Sequence, residues 1–427
     1  MDRRIRENLM GLLDAAIAAA QPANVVAPAL PPPPRNGRVI VLGAGKAAAA
    51  MAIATEDHYR DLAAEGRLIG FVATRHGYGL PTRTIKVLEA GHPVPDEASE
   101  RAAARALEVA AGAQPEDTIV VLLSGGASAI WSAPVNGVGL AEKQALTKTL
   151  LRSGARIHEM NCVRKHLSRI KGGRLAAASH GGALVTLAIA DVPGDDPAVI
   201  GSGPTVADPT TLADARAIVR GLPAGVLQTI LAALNEPNNE TLKSGHPALV
   251  KSTYRIVAAP SLSLAAARKA AERMGYQVVV LGDAIEGEAR EIAKQHAELA
   301  LKAQRDGTRL ALISGGELTV TVRGKGAGGP NQEYALALAM ALRGAPAIAA
   351  IAADTDGTDG GTGAVDDPAG AVVLPDTLAR AISRNQDAST FLNNNDSTHF
   401  FAGLGDLVVK GPTQTNVNDF RAILIEP

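Results

Sequence analysis

Short apolar runs alternate with alanine-rich, helix-compatible stretches along this chain. Residues 39–42, 69–73, 84–88, 119–123 and 185–190 read as strands, too short for helices and bounded by glycine or polar turns. The stretches between them suit crossover helices, so a mostly parallel α/β sheet is expected. Ahead of them, Leu9, Leu12, Leu13 and Ile17 fall on one helical face, which predicts an amphipathic first helix. Asp14 interrupts its apolar part and argues against a signal peptide. Residues 21–35, with Pro31 to Pro34, form an extended connector. Residues 222–249, with Pro223, Pro237 and Pro247, show no strand pattern and read as helices and linker. A second β/α series is expected from Tyr254 through 278–281 and 310–313. Residues 318–322 alternate Thr and Val, as a half-exposed strand of a mixed sheet would, and 347–353 read as a buried strand. The pattern predicts two α/β domains, 1–240 and 241–427.

Composition narrows the function classes. A chain of 427 residues with 46% hydrophobic content has ample material for two cores. Its formal charge of -1 gives no general attraction to nucleic acid or anionic membrane. Cys162 is the only cysteine, which excludes an intrachain disulfide and a thiolate zinc site. No apolar run reaches the roughly 18 residues of a membrane span, so a cytoplasmic protein is expected, with a homodimer left open.

Candidate chemistry gathers where strands end. Gly43-Ala-Gly45-Lys46-Ala-Ala48 follows the first strand and satisfies the loose dinucleotide pattern G-x-G-x-x-A. Lys46 beside a helix N-terminus favours an anion. Ser124-Gly125-Gly126-Ala127-Ser128 closes another strand, and its amides and hydroxyls suit a phosphate or carboxylate. No G-x-S-x-G elbow accompanies it, so hydrolase chemistry is not expected. In residues 160–173, Met160, Val163, Leu167 and Ile170 predict one helical face, with Arg164, Ser168 and Lys171 as a polar stripe beside it. That local excess of positive charge suits an acidic small molecule. Asp191 is the first polar residue after the 185–190 strand, a candidate general base or metal ligand. Asp195 and Asp196 read as turn residues.

The second half is richer in glycine and carboxylate. Ser314-Gly-Gly-Glu317 echoes the Ser124 turn. Arg323, Lys325, Gly328, Gly329 and Asn331 lie in a glycine-rich loop of the kind that phosphoryl transfer uses to position charge, and its glycines predict mobility. Asp354, Asp356 and Asp359 crowd the stretch 354–367, which suggests a divalent metal near phosphate. The spacing is not that of an EF-hand: Asp359 stands at the glycine position and Val365 at the closing glutamate. Residues 391–398 and 411–419, with Asn393, Asn395, Asp396, Asn416, Asn418 and Asp419, either bind a ligand or make Asx turns.

In this order the segments resemble the class II glycerate kinase family. The motifs are G-A-G-K-A from Gly43, A-G-H-P-V-P-D-E from Ala90, L-L-S-G-G-A-S-A from Leu122, N-C-V-R-K-H-L-S-R-I-K-G-G from Asn161 and D-V-P-G-D-D-P from Asp191. The later part resembles the MOFRL domain through G-G-E-L-T-V-T-V from Gly315, G-G-P-N-Q-E from Gly328, D-T-D-G-T-D-G from Asp354 and the asparagine-threonine loop from Gly411. The resemblance implies a Rossmann-like N-terminal domain, a MOFRL-type mixed-sheet domain and an interdomain cleft. It implies ATP- and Mg2+-dependent phosphorylation of D-glycerate to 2-phosphoglycerate. Lys46, Asp191 and Arg323 become catalytic candidates, and Asn161, Arg164, Ser168 and Lys171 substrate-binding ones. Gly43, Gly45, Ser124, Gly125, Gly126, Ser128, Lys325, Gly328, Gly329 and Asn331 would serve phosphate or nucleotide, and Asp191, Asp354, Asp356 and Asp359 the metal. Pro330 stands where many members have arginine, so Arg323 or Lys325 is expected to compensate.

Two other readings compete. An NAD(P)H-dependent hydroxypyruvate reductase would use residues 43–48 as a pyrophosphate turn, with Arg75, in place of a ribose-binding acid, accommodating an NADP phosphate. A non-catalytic hydroxy-acid sensor would keep the basic residues but need neither Asp191 nor the acidic loop.

Overall fold

The computed structural model describes residues 2–222, 227–361, 364 and 366–426 of the chain. It divides into two units, one of residues 22–190 and 195–257, the other of residues 1–21, 191–194 and 258–427. The division therefore falls near Ala258 rather than at 240, and the first helix belongs with the C-terminal half.

The first unit is built on β1 (Val39–Ala44), β2 (Leu68–Arg75), β3 (Lys86–Ala90), β4 (Thr118–Leu123), β5 (Leu184–Ile189) and β6 (Ser252–Ala258), in the order β3-β2-β1-β4-β5-β6. β1 pairs in parallel with β2 (Val39↔Leu68) and with β4 (Val39↔Thr118). Every residue of β1, β4 and β5 is buried, as in a parallel sheet covered on both faces. The chain runs outward from β1 through β2 to β3, then resumes on the other side of β1 at β4. The order reverses between β1 and β4, and in such sheets ligands bind beyond the carboxyl ends of the strands at that reversal.

The Tyr254 strand does not open the second series; as β6 it closes the edge of the first sheet. Its alternating exposure fits an edge position, and the Leu184 amide donates to the Lys251 carbonyl just before it.

The second unit contains β7 (Gln277–Gly282), β8 (Gly287–Glu288), β9 (Leu310–Ser314), β10 (Leu318–Thr319), β11 (Ile348–Asp354), β12 (Gly370–Val373), β13 (Leu407–Val408) and β14 (Asp419–Ile425). Six of them form a mixed sheet in the order β13-β12-β11-β14-β9-β7. β7 pairs with β9 in parallel, while β14 runs antiparallel to both β9 and β11. The 318–322 stretch is not part of this sheet. Only Leu318 and Thr319 pair, with β8, and the ladder ends where the Thr321 amide donates to the Glu288 carboxylate at 3.1 Å. Helix Asp2–Ala19 buries Leu9, Leu12, Leu13 and Ile17 against helix Pro260–Arg273 and one face of the mixed sheet. That apolar stripe has its partner more than two hundred residues away. Among the described residues no single helix is long and apolar enough to cross a membrane.

Candidate active site

At the reversal point of the first unit, the turn after β1 is tied to the turn after β4. The Lys46 amide donates to the Gly125 carbonyl at 2.8 Å, and the Lys46 carbonyl accepts from Thr74 Oγ1 at 3.3 Å. The Ala47 amide, at the start of helix Ala48–His58, donates to Ser124 Oγ at 3.0 Å. Gly45 adopts φ +132°, and a Cβ there would lie 2.2 Å from Ser124 Oγ, so this close approach requires glycine. Gly43 is likewise walled in, by Val72 and the Leu122 carbonyl. Gly43 and Gly45 thus let neighbouring strands fit together, and the Ser124 hydroxyl accepts the amide that immediately precedes helix Ala48–His58. Lys46 itself is half-buried, with its backbone fixed on both sides.

The predicted helix over 160–173 stops at His166, as helix Ile157–His166. Beyond it the backbone pairs with distant loops. Arg169 N donates to the Ala133 carbonyl, Gly172 N to Ser202 and Gly173 N to Gly203, and those bonds replace the helical ladder. Ser168 therefore leaves the expected stripe, and its hydroxyl accepts from the Ile170 and Lys171 amides inside the turn. Asn161 is buried on the helix. Lys171, only 2% exposed, donates through Nζ to the Ser128 carbonyl at 2.6 Å and Ser128 Oγ at 2.8 Å. Ser128 Oγ also meets Ser202 Oγ at 2.8 Å. Burial lowers the pKa of Lys171 well below the usual lysine range, and the charges of Lys143 and Arg164 lower it further. Lys143, on helix Leu140–Arg152, was not singled out from the sequence, where it looks like any surface lysine.

Other residues of this segment hold the unit together. Lys165 and Asp208 form a buried ion pair at 2.6 Å, and Asp208 also accepts from Thr210 and Thr241. Burial alone would raise the Asp208 pKa, but the Lys165 hydrogen bond and charge outweigh it and hold it below the usual range. Its contribution to stability is thus present above the unfolded-state pKa and is lost as pH falls through the lower folded value. Lys165→Met should destabilise the protein by about 3–5 kcal/mol, since Asp208 would be left buried without its cation. Chemical denaturation at neutral pH, followed by circular dichroism, measures this.

In the second unit the ends of β9 and β11 and the start of β14 form one polar edge, with Asp354 opposite Asp419 and Ser314 opposite Arg421. Arg421, 1% exposed, donates to Asp419 at 2.9 Å and to the Gly315 carbonyl at 2.5 Å. A lone arginine in the apolar strand D-F-R-A-I-L-I is the sequence signal that would have found it. Asn331 Nδ2 bridges Asp419 Oδ1 at 2.6 Å and Asp359 Oδ1 at 3.2 Å. Asp359 accepts the amides of Asn331 and Gln332 at 3.0 and 2.8 Å, capping helix Pro330–Leu342. Burial raises its pKa to about 7, the Asp419 charge adds to this, and the capped amides oppose it.

Among the described residues no three of His, Cys, Asp and Glu come together as a metal-binding group. Asp354, Asp356, Asp359 and Asp191 each have hydrogen-bond partners within the protein. Asp359 is a cap, while Asp354 and Asp356 accept amides two residues ahead in successive Asx turns. Asp191 has a different neighbour: Asn416 Nδ2 donates to Asp191 Oδ2 at 3.2 Å, and the Asn418 amide orients Asn416 through Oδ1.

The glycine-rich loop is also built differently from the expectation. The amides of Arg323 and Gly324 donate to Asn395 Oδ1, Lys325 N to Asn394 Oδ1 and Ala327 N to Asp396 Oδ1. A Cβ on Gly324 or Gly326 would collide with Asn394 or Asp396, so the glycines permit close packing rather than slack. Gly328 and Gly329 pack against Ser397 and Asp359 in the same way. The amides of 323–325 and 327 are thereby spent on protein rather than on phosphate. The Lys325 side chain is exposed. Arg323 is exposed and lines a groove with Glu288, Arg290, Glu291 and Lys294.

Comparison with known proteins gives this geometry its setting. Residues 8–235 match the family described as Domain of unknown function (DUF4147), and residues 310–419 match the MOFRL family. A protein of Agrobacterium vitis named as a hydroxypyruvate reductase is 49% identical, covering 99% of this chain and 95% of its own. The glycerate 2-kinase of Pyrococcus horikoshii is 38% identical over 91% of this chain and 88% of its own. The crystal structure of a Thermotoga maritima glycerate kinase superposes with a TM-score of 0.87 at 34% identity, covering 99% of this chain and 100% of that one. With a family model covering more than half its length and relatives of this identity along nearly all of it, the chain belongs to the class II glycerate kinase family.

Proposed function

We propose that this protein is a nucleotide-dependent kinase that phosphorylates D-glycerate, with ATP as donor, Mg2+ as the metal and 2-phosphoglycerate as product. The observation that carries this reading is the end-to-end likeness to glycerate kinases in both sequence and fold. The hydroxypyruvate reductase name of some relatives is poorly supported by the β1 turn. A dinucleotide pyrophosphate needs the amides at the start of the following helix, and here the Ala47 amide is spent on Ser124 Oγ and Gly45 is closed by protein.

In the proposed mechanism Asp191 takes the proton of the C2 hydroxyl. The resulting oxygen attacks the γ-phosphorus, the bond to the bridging oxygen breaks, and ADP departs with that electron pair. Asn416 positions the Asp191 carboxylate for this step. Lys46 offsets the negative charge that spreads over the transferred phosphoryl group. Arg164 and Lys171 hold the substrate anion. Mg2+ commonly keeps several waters and binds through one or two carboxylates plus nucleotide phosphates. Where Asp191 does not serve as the base it would instead hold the ion, which would supply charge neutralisation on the phosphates.

Two assays separate the readings. Purified protein should consume ATP with D-glycerate and leave NADH and NADPH unoxidised with hydroxypyruvate; the reverse outcome would establish the reductase. After removal of bound metal, excess EDTA should abolish turnover and added Mg2+ restore it. Full turnover in EDTA would overturn the metal requirement.

A further inference from the structure

β11 and β14 pair antiparallel as far as Asp354 opposite Asp419, and Thr355 carries the contact one residue beyond that ladder. Its amide donates to the Asn418 carbonyl at 3.2 Å. Its Oγ1 donates to the same carbonyl at 2.7 Å and accepts the Val417 amide at 3.0 Å. A hydroxyl both donates and accepts, so this one buried side chain fastens both ends of the Val417–Asn418 step. Asn418 lies in the left-handed region at φ +62°, a conformation that persists where its surroundings hold it. On the other flank, Thr413 Oγ1 donates to the Thr355 carbonyl at 2.5 Å, so residue 355 meets the 413–418 loop on both sides of Asn416. Asn416 is itself buried. Its Oδ1 accepts the Asn418 amide at 3.2 Å, which turns Nδ2 toward Asp191 Oδ2, also at 3.2 Å. The side of the carboxamide that meets Asp191 is therefore set by where the Asn418 backbone stands, and Thr355 holds that backbone.

We infer that Thr355 is a positioning residue for the transfer step: through the Val417–Asn418 backbone it holds the Asn416 amide against Asp191. That role rests on the kinase reading for the identity of the reaction, and adds to it a residue that acts only through others. A carboxylate that takes a proton must lie within hydrogen-bond reach of it. A misplacement of about 1 Å can cost roughly 100-fold in rate. Thr355→Val keeps the shape of the side chain and removes both of its hydrogen bonds. The Asn418 carbonyl keeps the Thr355 amide and the β11–β14 ladder is untouched, so the fold should survive while the Asn416 amide is released.

The test joins a crystal structure to a double-mutant cycle. In crystals of Thr355→Val the Asn416 amide should have left Asp191; a contact retained at hydrogen-bond distance would overturn the role, whether or not the protein is a kinase. With D-glycerate and ATP, kcat of Thr355→Val should fall at least about 10-fold while both KM values stay within about twofold, the pattern of an interaction felt in the transition state. Thr355→Ser keeps the hydroxyl and should recover most of the loss. Asn416→Ala should lower kcat in the same way, and adding Thr355→Val to it should lower kcat no further, because the two residues act in series. A threonine that merely stabilised the loop would cost the same factor in both backgrounds. Such an additive loss, or wild-type kcat in folded Thr355→Val, would overturn the role and leave the kinase reading standing. Should Thr355→Val fail to fold, Thr355→Cys, whose thiol is a weak donor and acceptor, takes its place in every arm with the same outcomes. Wild-type protein that transfers no phosphoryl group to D-glycerate would refute the kinase reading, and the crystal structure alone would then decide whether Thr355 holds Asn416.

Discussion

Asp191→Asn is expected to lower kcat with D-glycerate by about 10³-fold while the fold stays intact, within the range for removal of a general base. Asparagine keeps the shape and can still meet Asn416, but it cannot accept the hydroxyl proton at neutral pH. The contact from Asn416 Nδ2 at 3.2 Å makes a structural collapse unnecessary to explain such a loss. The Mg2+ dependence of the residual activity separates the two duties proposed for this carboxylate. A metal ligand would show a sharply raised Mg2+ requirement; a base would lose kcat and the acid limb of its pH profile with the Mg2+ requirement little changed. Activity within threefold of wild type on both counts would remove Asp191 from the chemistry.

Lys46→Ala should reduce turnover by roughly 100-fold or more, the magnitude seen when one preorganised charge-stabilising donor is removed. The backbone of residue 46 is held by Gly125 and Thr74 independently of its side chain, so the variant should fold normally. Lys46→Arg should rescue poorly, because a planar guanidinium does not replace a compact ammonium beside a closely packed glycine turn. Steady-state kinetics with circular dichroism of both variants provides the measurement. Near-native kinetics in Lys46→Ala would make the residue a surface lysine with a well-anchored backbone.

The strands of the first sheet were largely legible in the chain because β1, β4 and β5 are buried on both faces and read as continuous apolar runs. β11 was legible for the same reason. β6 was recognisable as a strand but not as a member of the first sheet, since sheet membership depends on a pairing partner far away in sequence. The end of the helix at His166 was hidden similarly: Ile170 keeps the helical period and is fully buried, yet its backbone neighbours are decided by residues 133–134 and 202–203. The crowding of Asp354, Asp356 and Asp359 is plain in the chain, but their Asx turns and helix cap depend on the neighbouring segments 329–332 and 413–418.

The most direct test of the central claim is the phosphorus NMR spectrum of a reaction containing the purified protein, D-glycerate, ATP and Mg2+. The account predicts that the ATP signals give way to ADP and a single new phosphomonoester resonance that coincides with added 2-phosphoglycerate. Unchanged ATP, or inorganic phosphate as the sole product, would contradict it.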